Sequence, residues 1–180
     1  KTISPPQILQ LYPRAFYGGL TKETSGTVSV TTTSVTASGN INIQTIDVSG
    51  GNSTYTKSRY SSTTHDGGNG GNVTLNAAAI SVAGTVNTAG GTTASGGNAG
   101  ADGSIAITNT SNSNLSGAVT AGAFTKSGAG VLTLNAVENL SGDTTIAAGT
   151  IKLGIANALT NSILFTSSTA TLDMNGYSET

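Results

Sequence analysis

The segment GAGVLTLNAVENLSGDTTIAAGTIKLG, residues 128–154, decides the fold of this chain. Its apolar residues alternate with polar ones in short runs, LTL at 132–134 and IKL at 151–153, and glycines separate these runs. A period of two is typical of β-strands with one buried face, and glycine between such runs indicates turns. The segment therefore predicts the wall of a β-structure, and it contains few side chains that could perform chemistry.

The apolar runs recur at nearly regular intervals in the last third of the sequence. Leu132, Ile151 and Leu172 follow one another at intervals of about 20 residues, and Ile146 and Phe165 are separated by a similar step. Strands that recur at equal steps can stack in register about 4.8 Å apart, with alternate residues pointing inward. We therefore expect a parallel β-helix of about eight coils, each of about 20 residues.

A longer interval appears upstream, where Gly39, Gly71 and Gly103 each open a Gly-x-apolar-x-apolar segment. The step from Gly39 to Gly71 equals the step from Gly71 to Gly103. One coil with a long loop explains this interval, and so does more than one short coil. Loops rich in glycine and serine are expected at about residues 51–72 and 90–103.

The amino-acid composition also favours an all-β chain. Thr, Ser, Asn and Gly make up more than half of the 180 residues, and only 8% are charged, so the usual helix formers are scarce. An antiparallel β-sandwich is the alternative fold, since it too has short strands and frequent turns. A β-helix predicts one inward core ladder, which comprises Val73, Leu75, Ile105, Ile107, Leu132, Leu134, Ile146, Ile151, Leu153, Phe165, Leu172 and Met174.

The N-terminal segment differs from the rest, because all three prolines, Pro5, Pro6 and Pro13, lie there. We interpret residues 1–20 as a linker, a cap or a docking segment, and residues 21–180 as the β-helix. The net charge is −1 and the seven basic residues are scattered, so neither nucleic acid nor an anionic membrane surface is an expected partner. No apolar run approaches the roughly 18 residues of a membrane helix, so we expect no membrane insertion by this segment.

Two glycine-rich stretches are similar to a calcium-binding repeat of β-solenoids. In GGNGGNVTL, Asn72 stands where the repeat has a carboxylate, and in GGNAGADGSI the carboxylate of Asp102 comes one residue late. Neither stretch recurs in tandem. We therefore expect no metal and no cofactor, and we interpret both stretches as flexible corner loops.

Candidate catalytic residues are sparse, because the aspartates stand singly and no acid/base pair is evident. The one dyad of catalytic residue types, His65 with Asp66, lies in a glycine-rich loop. We therefore predict that the segment is not an enzyme. Large polar and aromatic side chains gather in the same loop and form a candidate binding site, with a solvated loop as the alternative: Tyr55, Arg59, Tyr60 and His65.

Residues 124–159 resemble the passenger-associated repeat of bacterial autotransporters, and ATLDMNGY at 170–177 continues the resemblance. Leu140 stands where the family often has an aromatic residue, and Asn135-Ala136 where Ser-Gly is usual. The family pattern falls on Phe124, Lys126, Gly128, Gly130, Leu132 and Leu134, and later on Gly142, Thr144, Ile146, Gly149, Ile151, Leu153 and Gly154. Upstream, GGNVTLNAAAISVAGTVNTAGG, residues 70–91, resembles the repeats of filamentous-haemagglutinin-like secreted proteins.

The two resemblances imply a right-handed parallel β-helix exported by a Gram-negative-type cell and located at the cell surface or secreted. Our leading hypothesis is a non-enzymatic structural segment, either a rigid stalk or a filament-forming adhesin. The alternative is a fragment of a carbohydrate-active β-helix enzyme whose catalytic residues lie elsewhere. Expected partners are further coils of the parent protein or other copies of the chain, and a glycan or protein of the host or cell surface.

Overall fold

The computed structural model describes residues 39–53, 66–93, 97–161 and 163–179, together with the backbone of two strands at 7–10 and 28–31. These residues form β-strands without a helix, and hence no helix that could span a membrane. The strands are β1 (Gln7–Gln10), β2 (Val28–Thr31), β3 (Asn40–Asp47), β4 (Val73–Ala77), β5 (Ala79–Val82), β6 (Val86–Asn87), β7 (Ser104–Asn109), β8 (Ser113–Leu115), β9 (Val119–Ala121), β10 (Ala123–Ser127), β11 (Val131–Leu134), β12 (Asn139–Leu140), β13 (Thr144–Ile146), β14 (Gly149–Leu153), β15 (Ile163–Phe165) and β16 (Ala170–Asp173).

The strands of the described part pair in parallel throughout. One sheet has the order β15-β13-β10-β7-β4-β2, and the other has the order β12-β9-β6-β3-β5-β8-β11-β14-β16, with β1 also paired to β3. The chain visits the two sheets in turn, so neighbouring strands of a sheet lie one coil apart. The fold is therefore a parallel β-helix, and the antiparallel sandwich is wrong.

The second sheet covers two sides of the coil, because the two halves of β3 pair with different strands. Residues 40–43 of β3 pair with β5, whereas residues 46–47 pair with β6. A regular coil thus supplies three strands, as in β7, β8 and β9, with one strand on each side. The right-handed course of the coil stays an expectation from the family resemblance.

The register confirms the spacing predicted for the downstream coils. Leu132 pairs with Ile151, which pairs with Leu172, and Ile146 pairs with Phe165. Each apolar residue therefore lies beside its counterpart from the next coil, as stacking in register requires.

The upstream repeat was predicted only in part. Gly71 and Gly103 do precede equivalent strands, since β4 pairs with β7 in register. The segment after Gly39 is β3, which belongs to the other sheet, and the strand equivalent to β4 is β2. The six-stranded sheet accordingly contains six successive coils in the described part. The expectation of about eight coils for the whole chain stays a prediction.

Most of the predicted core ladder is buried. Leu172 and Met174 are partly buried and pack against the core, whereas Phe165 is 53% exposed and does not belong to it. Phe165 is in the expected column beside Ile146, but its strand β15 is the edge of the described sheet, so no further coil covers the ring. The buried members are Val73, Leu75, Ile105, Ile107, Leu132, Leu134, Ile146, Ile151 and Leu153.

Candidate functional site

The candidate binding residues Tyr55, Arg59, Tyr60 and His65 lie outside the described residues. The chain on both sides of them is fixed to the next coil. Before them, the Ser53 amide donates to the Thr92 carbonyl at 2.8 Å, and after them Asp66 Oδ1 accepts the Asn98 amide at 2.8 Å.

The residues of the calcium-like stretches accept hydrogen bonds from other segments of the same coil and of other coils. Asn72 Oδ1 accepts the Ser104 amide at 2.8 Å, and Asp102 Oδ1 accepts the Gly90 amide at 2.8 Å. The second oxygen of Asp102 accepts the Ser141 hydroxyl at 2.6 Å. Within the described ranges, no three His, Cys, Asp or Glu side chains cluster in a way that could hold a metal ion.

Four extended legs, residues 48–53, 66–72, 87–93 and 97–103, form the glycine-rich part of two successive coils. We call them the glycine bundle. Hydrogen bonds join two pairs of its legs at every third residue. The amides at 68 and 71 donate to the carbonyls at 51 and 48, and those at 100 and 103 donate to 91 and 88, at 2.7–2.8 Å. A three-residue period is typical of chains in the polyproline II conformation.

Side chains in the glycine bundle follow the same period. The Oδ1 atoms of Asp66, Asn69 and Asn72 accept the amides at 98, 101 and 104, all at 2.8–3.0 Å. Each bond joins residues 32 positions apart. The same interval separates the paired residues of β4 and β7. It therefore holds a row of side-chain hydrogen bonds to backbone amides as well as a strand pair.

Only glycine fits where the legs cross. A Cβ at Gly91 would lie 2.0 Å from the Gly51 oxygen, and a Cβ at Gly100 would lie 1.8 Å from the Gly68 oxygen, far inside van der Waals contact. Glycine serves here as it does at the crowded axis of collagen, by letting backbones approach closely. The expectation of flexible corner loops is therefore wrong for these legs, which are packed against each other.

Lys126 lies inside the coil, although it is charged. Its side chain is fully buried on β10, between Ile107 of the preceding coil and Ile146 of the next. The ammonium donates to the carbonyls of Ser127 at 2.7 Å, Gly128 at 2.8 Å and Ala148 at 3.2 Å. Burial lowers the pKa of Lys126 to about 8.

Glu138 is, with Lys126, one of the two buried titratable residues in the described part, and it is 1% exposed. Its Oε2 accepts a short hydrogen bond from the Val119 amide, and its Oε1 has no partner. Burial raises the pKa of Glu138 to about 8, although the hydrogen bond from Val119 acts in the opposite direction.

The corner beside Lys126 is built from glycines in the left-handed region. Gly128 has φ 76° and Gly149 has φ 72°, and both belong to the motif identified in the sequence. A Cβ on Gly128 would lie 2.2 Å from the Asn109 oxygen of the preceding coil, so both conformation and space require glycine.

Sequence reasoning missed the burial of both Lys126 and Glu138. A signal existed for Lys126, because it alternates with Phe124 and therefore faces inward. A weaker signal existed for Glu138, which follows Val119 at the interval of one downstream coil.

Comparison with known proteins bears on this downstream part. Residues 124–153 match the family described as Passenger-associated-transport-repeat. We call these residues the passenger repeat; they extend from β10 to the end of β14. The match confirms the resemblance to the autotransporter passenger repeat. Neither a curated protein nor a solved structure matches the chain significantly.

The passenger repeat implies an autotransporter passenger segment, and with it a secreted or cell-surface location. This family is a structural repeat and is not an enzyme family. The matched positions agree with that role, because Phe124, Leu132 and Ile151 are buried wall residues and Gly128 and Gly149 form a corner. The resemblance of residues 70–91 to haemagglutinin-like repeats stays a prediction.

Proposed function

We propose that this segment is a non-enzymatic structural part of a passenger, which serves as a rigid stalk or a filament-forming adhesin. The observation that carries the proposal is the unbroken register of the first sheet. Val73, Ile105, Phe124, Thr144 and Ile163 lie side by side on five successive coils. Such stacking extends a rod by about 4.8 Å per coil, so length grows with the number of coils.

Small-angle scattering combined with a glycan assay tests this proposal. The chain should scatter as a compact rod section with the same dimensions over a wide range of temperature, and it should leave surface polysaccharides intact. Depolymerisation of a polysaccharide by the purified chain would overturn the proposal and favour the carbohydrate-active alternative.

The partners we propose for the stalk are further coils of the parent protein or another copy of the chain. The support is the apolar surface of β15 and β16, where Leu164 and Phe165 are about half exposed and Leu172 is partly buried. The edge strands β15 and β16 also offer backbone groups for strand addition. If the chain is monomeric at high concentration and β15 exchanges its amides as slowly as β10, this proposal is wrong.

For an adhesin role, we propose recognition of a glycan or protein through the loop that contains Tyr55, Arg59, Tyr60 and His65. The support is their residue types and the anchoring of the loop at Ser53 and Asp66. A glycan array, probed with the chain and with a variant whose residues 54–65 are replaced by Gly and Ser, tests the idea. Equal binding by both proteins would exclude this loop.

A further inference from the structure

Glu138 occupies an inward position that is apolar in the three preceding coils whose side chains the structure describes. Ile46, Val86 and Val119 pair in register along one side of the β-helix, and the pairing of Asn139 with Thr120 places Glu138 beside Val119. A carboxyl group therefore continues a column of branched aliphatic side chains.

The contacts of Glu138 join three successive coils. Its Oε2 accepts the Val119 amide of the preceding coil, and its own amide donates to the Ala158 carbonyl of the following coil at 2.9 Å. The other carboxyl oxygen, Oε1, is buried and has no hydrogen-bond partner. At this corner a titratable carboxyl group, rather than a backbone carbonyl, therefore accepts the Val119 amide.

No positive charge in the described residues compensates this carboxyl group. The Lys126 ammonium is bound to backbone carbonyls at another corner, and Lys152 lies 3.9 Å from Asp173 on the outer surface. The segments packed against Glu138, residues 119–121 and 158–160, contain no titratable side chain. Leu159 of the following coil donates its amide to the Glu179 carboxylate of the next coil at 3.3 Å.

We propose that Glu138 is a pH-sensitive contact of the coil, which closes the corner at Val119 when its carboxyl group is neutral and opens it on ionisation. A buried carboxylate without a counter-ion is far more costly than a buried carboxylic acid, and the unpartnered Oε1 adds to that cost. The raised pKa of Glu138, about 8 against an ordinary value of 4.5, agrees with this geometry.

The direction of the pH effect follows from linkage. Because the folded chain holds the proton of Glu138 more tightly than the unfolded chain, the stabilisation is complete below pH 4.5 and is lost as the pH rises to about 8. Acidic surroundings therefore favour the closed corner. This inference concerns regulation of the fold and does not depend on the stalk or adhesin role.

Denaturant unfolding between pH 5 and 8 tests the proposal. In the unmodified chain the unfolding equilibrium constant should rise about tenfold per pH unit through the middle of this range. Glu138→Gln keeps an acceptor for the Val119 amide and cannot ionise, so this rise should disappear. Glu179→Gln is the matched control and should retain it. All variants are compared in a His65→Gln background, because His65 is the single histidine of the chain.

A flat pH profile of the unmodified chain, or an equal slope in Glu138→Gln, would overturn the proposal. Should Glu138→Gln fail to fold, carbon-13 NMR of the unmodified chain decides. The Glu138 carboxyl carbon and the Val119 amide proton should then titrate together, with a common midpoint at least two pH units above 4.5. A midpoint near 4.5, or a Val119 amide that does not respond, would contradict the proposal.

Discussion

The glycine bundle and the passenger repeat stabilise different coils of the β-helix by opposite means. In the glycine bundle, backbones approach each other directly because side chains are missing, as where Gly100 crosses Gly68. In the passenger repeat, buried side chains satisfy backbone groups instead, as Lys126 does for three carbonyls. A parallel β-helix therefore tolerates closely packed glycine segments or buried polar side chains, provided that each backbone group finds a partner.

The inward-facing residue columns of the first sheet also differ between the upstream and the downstream coils. Upstream, Leu75 and Ile107 are paired and buried, and downstream the same column contains Lys126. The neighbouring column contains Val73 and Ile105 upstream, and downstream it contains Thr144, whose buried hydroxyl has no partner. The inward-facing columns of the first sheet are therefore apolar upstream and include buried polar side chains downstream.

The largest expected effect is at the apolar wall that both regions share. Leu153 is fully buried beside Leu134. Leu153→Asp should lower the free energy of unfolding by about 4 kcal/mol or more, because it buries a carboxylate without a partner. Chemical denaturation measures the loss, and a tolerated Leu153→Asp would show that this column is not the core.

A second variant addresses the glycine bundle. Gly100→Ala should cost about 3 kcal/mol, since its Cβ would lie 1.8 Å from the Gly68 oxygen and displace the acceptor of the Gly91 amide. The matched control is Ala101→Ser, an exposed neighbour on the same leg, which should change stability by less than about 0.5 kcal/mol. Equal stability of the two variants would mean that the legs do not cross closely in solution.

The third variant tests the buried cation of the passenger repeat. Lys126→Met should cost about 2 kcal/mol at neutral pH, because three carbonyls lose a donor. Burial lowers the pKa of Lys126 to about 8, so the unmodified chain should gain stability as the pH rises from 8 towards 10.5. Denaturation at pH 8 and pH 10 should show that gain, and Lys126→Met should lack it. A gain of equal size in both proteins would assign it to another group.

The smallest effect is expected on the outer surface. Lys152 pairs in register with Asp173, and their charged atoms lie 3.9 Å apart. Lys152→Asp places two carboxylates on adjacent coils and should cost about 0.5 kcal/mol, less at high salt. Thermal unfolding at low and high salt checks this value. A loss as large as that of Leu153→Asp would invert the assignment of inner and outer faces.

The sequence predicted the downstream coils well and the upstream coils less well. Leu132, Ile151 and Leu172 occupy one column because their spacing equals one coil, and no long loop intervenes. Gly39 misled the prediction because a Gly-x-apolar-x-apolar pattern opens strands in both sheets, so the pattern does not distinguish them. Phe165 lies in the predicted register. Its burial depends on whether another strand covers β15, and the spacing of apolar residues carries no information about that.

What the sequence determined by itself is the period, the parallel stacking and the passenger repeat. Each of these follows from contacts between like positions one coil apart, and such contacts leave a repeated pattern along the chain. Only the tertiary structure decided the glycine bundle and the burial of Lys126 and Glu138. The glycine legs touch through backbone atoms, which have no residue-specific signature except glycine itself. The two charged side chains are buried because particular backbone groups of neighbouring coils lie within hydrogen-bonding distance, and that proximity exists only once the coils are stacked.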